Sequence, residues 1–115
     1  IRYVYRTFFG IQSTAIVADP ESFRDCIDAC SDLSPFGDFR VRSDRQDFDV
    51  VQLVRGRDPA HVGLWSAADG AVLHCVRGAG VCLDTPFELR HLGWRGLIFN
   101  RHADLLGGLP EVHRG

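Results

Sequence analysis

Lysine and methionine are absent from this chain, whose 13 basic residues are all arginine. That points to the coding bias of a GC-rich source and says nothing about mechanism. Long apolar runs are missing too: none approaches the ~18 consecutive residues of a membrane-spanning helix, so no such span is expected. Charge of one sign is not in surplus. The net charge of −2 and pI near 6.2 offer no general surface for a polyanion, which argues against nucleic acid as a partner. No signal peptide, internal repeat or low-complexity tract is visible, so a role at a cell wall would need another element for delivery. The four cysteines show no C-x-x-C pairing, and His91, His102 and His113 are scattered, so neither a metal nor a disulfide framework is expected. No cofactor is implied either, because a phosphate-cradling loop needs more glycines than Arg77-Gly78-Ala79-Gly80 supplies and a helix directly behind it.

What is present fits one globular domain over residues 1–115. At 45% hydrophobic and 24% charged, the chain can build a modest core. The organising stretch is Asp49 to Cys75. It reads as three strands, Val50 to Val54, His61 to Ser66 and Ala71 to Val76, the last two joined at Ala67-Ala68-Asp69-Gly70. Asp-Gly between two apolar, β-branched runs is a hairpin signal, because both residues tolerate the left-handed backbone of such turns. Side chains alternate faces along a strand, so His61, Gly63 and Trp65 point one way, as do Val72, His74 and Val76. With two or four residues in the turn, opposed positions add to an odd number. His61 and His74 then share a face, roughly 5 to 8 Å apart. Such a pair can serve as a base and the group that orients it, or as two half-buried strand histidines.

The remaining segments frame that hairpin. Ile1, Val4, Tyr5 and Phe8 have helical spacing with Gly10 as a stop, but nothing caps the start, so the helix is expected to begin upstream. Asp19 caps a second helix with Pro20 at its first position. Phe23, Cys26, Ile27 and Cys30 form its apolar stripe, and Cys75 and Cys82 also read as core. Ser31 to Phe48 reads as a solvated loop in which arginines alternate with aspartates. After the hairpin, a short strand runs from Gly80 to Leu83, and Thr85-Pro86-Phe87-Glu88 is a capping box for a helix ending at Gly93. Trp94 packs on the sheet, Leu97 to Phe99 begin a closing strand, and residues 103–115 form a flexible or partner-ordered tail.

The run His61-Val62-Gly63-Leu64-Trp65, a turn, then Val72-Leu73-His74 resembles the core of the NlpC-type cysteine peptidases, papain-like enzymes that cut peptidoglycan stem peptides. Asp49-Val50-Val51-Gln52-Leu53 resembles that family's Gly-Asp-hydrophobic strand, with Phe48 where glycine is usual. Arg55-Gly56-Arg57, Leu89 to Arg95 and Leu97 to Arg101 look like its bacteriophage-tail and gene-transfer-particle branch. The resemblance implies an α+β fold, an antiparallel half-barrel with N-terminal helices on one side. It implies His61 as catalytic base, His74 as its orienting partner, and Gly63 and Trp65 beside the substrate. The nucleophilic cysteine would lie about four positions ahead of Ile1, at a helix N-terminus that lowers its pKa. The implied function is a tail-associated peptidoglycan endopeptidase of a phage or phage-like particle, acting at the bacterial wall with tail-tip or baseplate proteins as partners. The alternative is an inactive docking component of the same assembly.

Overall fold

A computed structural model of the chain describes residues 30–76 and 78–107. Six strands, β1 (Phe39–Arg42), β2 (Val50–Arg55), β3 (Asp58–Ser66), β4 (Ala71–Val76), β5 (Gly80–Asp84) and β6 (Gly96–His102), form one sheet. Their order is β1-β6-β2-β3-β4-β5, and every neighbouring pair is antiparallel. One helix described in full, α1 (Pro86–His91), and two 3-10 turns, Ser34–Phe36 and Ala103–Leu105, complete the elements among the described residues.

This corrects the expected fold class. In place of the α+β, papain-like arrangement with N-terminal helices on one side of a half-barrel, the described residues form a six-stranded antiparallel sheet carrying one short helix. Part of the reason lies in residues 31–48, read above as a solvated loop. Phe39-Arg40-Val41-Arg42 alternates apolar and charged side chains with period two, and it pairs with β6 from Phe39↔His102 to Arg42↔Phe99. The run is so short, and its flanking aspartates so prominent, that the alternation reads as surface charge. The helices expected over Ile1 to Gly10 and from Asp19 lie outside the described residues, apart from the terminal Cys30.

The meander β2-β3-β4-β5 follows from local chemistry. Gly56 has φ 66° in the first turn, and Gly70 has φ 59° where the second turn closes into β4. In that second turn Ser66 Oγ donates to Asp69 Oδ2 at 2.6 Å. From β5 the chain crosses the sheet through α1 and returns as β6 between β1 and β2. Strand β2 is thus central, and Val50 through Leu53 are buried on both of its faces.

Around β2 both faces are closed largely by connections. On one face Val51, Leu53, Trp65, Val72, Leu89 and Phe99 form a core, with Trp94 and Leu97 packed on it. On the other, Val50, Leu64 and Leu105 are covered by Leu33, Phe39, Phe48 and Val62. The first part of the expected tail is therefore anchored by Leu105. Gln52 and Asn100 are buried but satisfied: Asn100 Nδ2 donates to Gln52 Oε1 at 3.0 Å, and Gln52 Nε2 donates to the Cys30 carbonyl at 2.6 Å.

A buried ion pair ties β6 to the start of β2. Arg101 Nε and Nη2 donate to the two carboxylate oxygens of Asp49 at 2.8 and 2.9 Å, while Nη1 reaches Asp44 Oδ2 at 3.1 Å. These partners hold the guanidinium pKa above its ordinary value. Asp49→Ala leaves a buried cation with only the exposed Asp44 beside it. It is expected to destabilise the protein by about 3–5 kcal/mol in urea denaturation, whereas Asp44→Ala is expected to cost far less.

Candidate active site

The β3–β4 ladder is short. It runs from Ser66↔Ala71 to Leu64↔Leu73 and then stops, although both strands continue. At the stopping point sits Gly63. A Cβ there would lie 2.5 Å from Val72 Cγ1, 2.7 Å from the Leu73 carbonyl oxygen and 3.1 Å from His74 Cβ. Strand β4 therefore occupies the space a side chain would need, and glycine is what permits the approach.

Beyond Gly63 side chains replace the ladder. His61 Nε2 and His74 Nδ1 are 3.0 Å apart, with ring centroids at 5.2 Å and planes at 69°. His74 is buried, and its Nε2 lies 2.7 Å from Asp84 Oδ2 at the end of β5. Three ionisable side chains from three successive strands thus form one hydrogen-bonded row.

The crossing connection supplies the neighbouring wall. Thr85 caps α1 in both directions: Glu88 N–H donates to Thr85 Oγ1 at 3.2 Å, and Thr85 N–H donates to Glu88 Oε1 at 3.0 Å. Leu89, 1% exposed, anchors the helix in the core. Gly93 ends the segment at φ 95°, and Trp94 N–H returns to the Leu89 carbonyl at 3.0 Å. The indole is thereby laid against His61, stacked at 5.6 Å with an interplanar angle of 20°. The Arg55 guanidinium lies 4.2 Å from the centroid of the same indole, held by Nη2 donating to the Leu92 carbonyl at 3.1 Å.

Burial first, then the neighbouring His74 and Arg55, push the His61 pKa down from 6.5 to about 4. The imidazole is neutral near pH 7 and has a lone pair to offer. An anion placed against it, such as a thiolate, would favour the protonated form and raise that value.

Of the four residues singled out in the sequence, His61, Gly63 and His74 meet at this point. Trp65 shares their face but lies further along β3. It is 7% exposed, packs edge-on against Phe99 at 5.3 Å and lies under the Arg45 guanidinium at 5.0 Å, so its ring belongs to the core. Asp84 and Trp94 enter the site without having been assigned to it. Strand alternation brings Asp84 to the site as well, because His74↔Cys82 puts Cys82 and Asp84 on the histidine face. No comparable signal gives the Trp94 stack, which depends on a connection crossing over the sheet.

The described cysteines are Cys30, Cys75 and Cys82. Cys30 is buried, as expected. Cys82 faces the same way as its register partner His74, with Sγ 3.7 Å from the Gly80 carbonyl oxygen. Cys75 is exposed rather than in the core, because the far face of β4 and β5 is uncovered there and leaves Leu73, Val81 and Leu83 exposed too. Among the described residues no group of three or more His, Cys, Asp or Glu side chains is placed to hold a metal ion. None of the described helices is long and apolar enough to cross a membrane.

No protein-family model, curated protein or solved structure matches this chain.

A low His61 pKa has a consequence for stability. The unfolded chain takes up this proton near pH 6.5 and the folded one only near about 4, so folding is favoured above this interval and loses that support as pH falls through it. Denaturant titrations at a series of pH values are expected to show the decline. In Trp94→Ala, where water reaches the ring, the His61 pKa followed by NMR is expected to move up toward 6.5.

Proposed function

We propose that this domain is the base-bearing part of a thiol-dependent peptide hydrolase of the NlpC type. It cuts peptidoglycan stem peptides and is carried on the tail of a phage or phage-like particle. The observation that carries the reading is the His61–His74 contact at 3.0 Å, backed by Asp84, on a neutral and half-buried imidazole. Two positioned histidines with a carboxylate behind them suit proton transfer to and from a nucleophile. The reading rests on this site and on the sequence resemblance, not on the fold class, since one architecture serves many functions.

Phe48 adds a separate support. It stands where the family has glycine, and at φ 67° it is the non-glycine residue with left-handed backbone among those described. That conformation costs a side-chain-bearing residue about 1–2 kcal/mol, and Phe48 offsets the cost by packing on the second core.

In the proposed reaction His61 takes the thiol proton, and the thiolate sulfur attacks the scissile carbonyl carbon. As the tetrahedral adduct collapses, the C–N bond breaks and His61 returns the proton to the leaving amine. Water, deprotonated by the same imidazole, then cleaves the thioester and restores the thiol. The resemblance puts that thiol ahead of Ile1. Of the described cysteines, Cys75 sits on the face opposite the histidines, Cys30 is buried where its carbonyl meets Gln52, which points to that same opposite face, and Cys82 shares the histidine face but turns its Sγ to the Gly80 carbonyl.

A second reading, a docking component of a tail tip or baseplate, is favoured by the far face of the sheet. There Leu73, Val81 and Leu83 lie exposed side by side on β4 and β5. The product of the full open reading frame is expected to release soluble peptides from purified peptidoglycan, and His61→Ala to slow release by about 10²- to 10⁴-fold. Release at the same rate in His61→Ala removes the mechanism. No release from the unmodified protein, with normal incorporation into tails, selects the docking reading.

A further inference from the structure

We propose that Asp84 is a positioning residue: it fixes the direction of hydrogen bonding through His74 and thereby makes Nδ1 of His61 the atom that accepts a proton. The consequence for rate rests on the hydrolase reading above. The tautomer assignment stands on geometry alone.

An ionised carboxylate can only accept hydrogen bonds. With Asp84 Oδ2 at 2.7 Å, the proton of a neutral His74 sits on Nε2, and its Nδ1 is left as an acceptor. His61 Nε2, 3.0 Å from that acceptor, is then the donor, so a neutral His61 carries its proton there. Its Nδ1 is left with a lone pair, and among the described residues that atom makes no hydrogen bond. The order is thus dictated from the carboxylate outward: Asp84 accepts from His74, and His74 accepts from His61. When Nδ1 takes up a proton, the resulting imidazolium still donates through Nε2 into the same row, with the Asp84 charge at its far end.

The burial pattern suits this part. The His74 side chain is 1% exposed, so solvent cannot easily supply an alternative partner for its Nε2, whereas the Asp84 side chain is 19% exposed and lies nearer the surface. Asp84 also has no competing local duty, because Thr85 caps α1 with its own side chain. The His74 contact is the one hydrogen bond of the Asp84 carboxylate among the described residues.

Asparagine at this position keeps the shape and removes the direction, since its amide can donate to His74 Nε2 as readily as its oxygen can accept. If it donates, His74 takes its proton on Nδ1, His61 Nε2 becomes the acceptor, and the His61 proton moves to Nδ1. The outward atom is then blocked.

The test is two-bond ¹H–¹⁵N correlation NMR of the histidine rings in the ¹⁵N-labelled 115-residue chain, at a pH where His61 is neutral. Nε2–H tautomers at both His61 and His74 are expected, with a substantial Nδ1–H population of His61 in Asp84→Asn and the original pattern in Asp84→Glu. A His61 that carries its proton on Nδ1 in the unmodified chain overturns the proposal, whether or not any variant folds. So does an Asp84→Asn protein whose tautomers match the unmodified chain. In the product of the full open reading frame, Asp84→Asn is expected to lower the rate of peptide release about 10²- to 10⁴-fold, with most of the rate retained by Asp84→Glu. If the tautomers respond as stated and the unmodified protein releases nothing, the hydrolase reading falls and the role of Asp84 stands.

Discussion

The close approach of β3 and β4 at Gly63 is the constraint on which the site depends. Backbone pairing holds these strands together for three residue pairs and ends where Leu73 faces Leu64. Past that point the strands are joined through imidazoles, a linkage needing a short gap and no side chain in it. Glycine is the residue whose Cα can lie under the Leu73 carbonyl, and the two rings meet because the strands come that close before they part. An alanine there would have to displace backbone rather than a flexible side-chain end, which is why this position tolerates so little.

Polar groups are arranged in opposite ways at the two ends of the sheet. Where β6 meets the start of β2, a charged pair is buried with nearly every hydrogen-bonding direction used, which makes that end stiff and costly to open. Beside the turn between β2 and β3, a half-buried imidazole is kept uncharged by its surroundings and leaves one ring nitrogen without a partner among the described residues. The first arrangement consumes its bonding capacity in holding strands together. The second holds some in reserve, as a proton-transferring group requires.

Much of the local structure is legible in the residues. Asp69-Gly70 announces the hairpin, Thr85-Pro86-Phe87-Glu88 announces the helix start, and parity alone places His61 beside His74. Each depends on neighbours within a turn or on a two-residue period, both of which a sequence displays directly. The strand over Phe39–Arg42 is not legible, because its partner is β6, some sixty residues away, and four alternating residues among aspartates look like solvated charge. Placing Cys75 in the core fails for a related reason: alternation tells which face a side chain takes, not whether anything covers that face. The α+β class rested on helices expected outside the described residues. Within those residues the two cores around β2 are closed largely by short connections and by the strands themselves, while the far face of β4 and β5 stays exposed.

The strand order also bears on how the protein is made. Among the described residues strand β1 has one neighbour, β6, and β6 is the last of the six described strands to emerge from the ribosome. The meander from β2 to β5 can zip up through short hairpins as it is synthesised, yet the outer edge of β2 stays open until β6 arrives to fill it. Until then the growing chain presents an apolar, unpaired strand edge, and closing it requires pairs such as Val50↔Asn100 and Val54↔Gly96, which are far apart in sequence. Such long-range closure is slow compared with hairpin formation, so a ribosome stalled before Gly96 would expose a nascent chain prone to sticking to its neighbours.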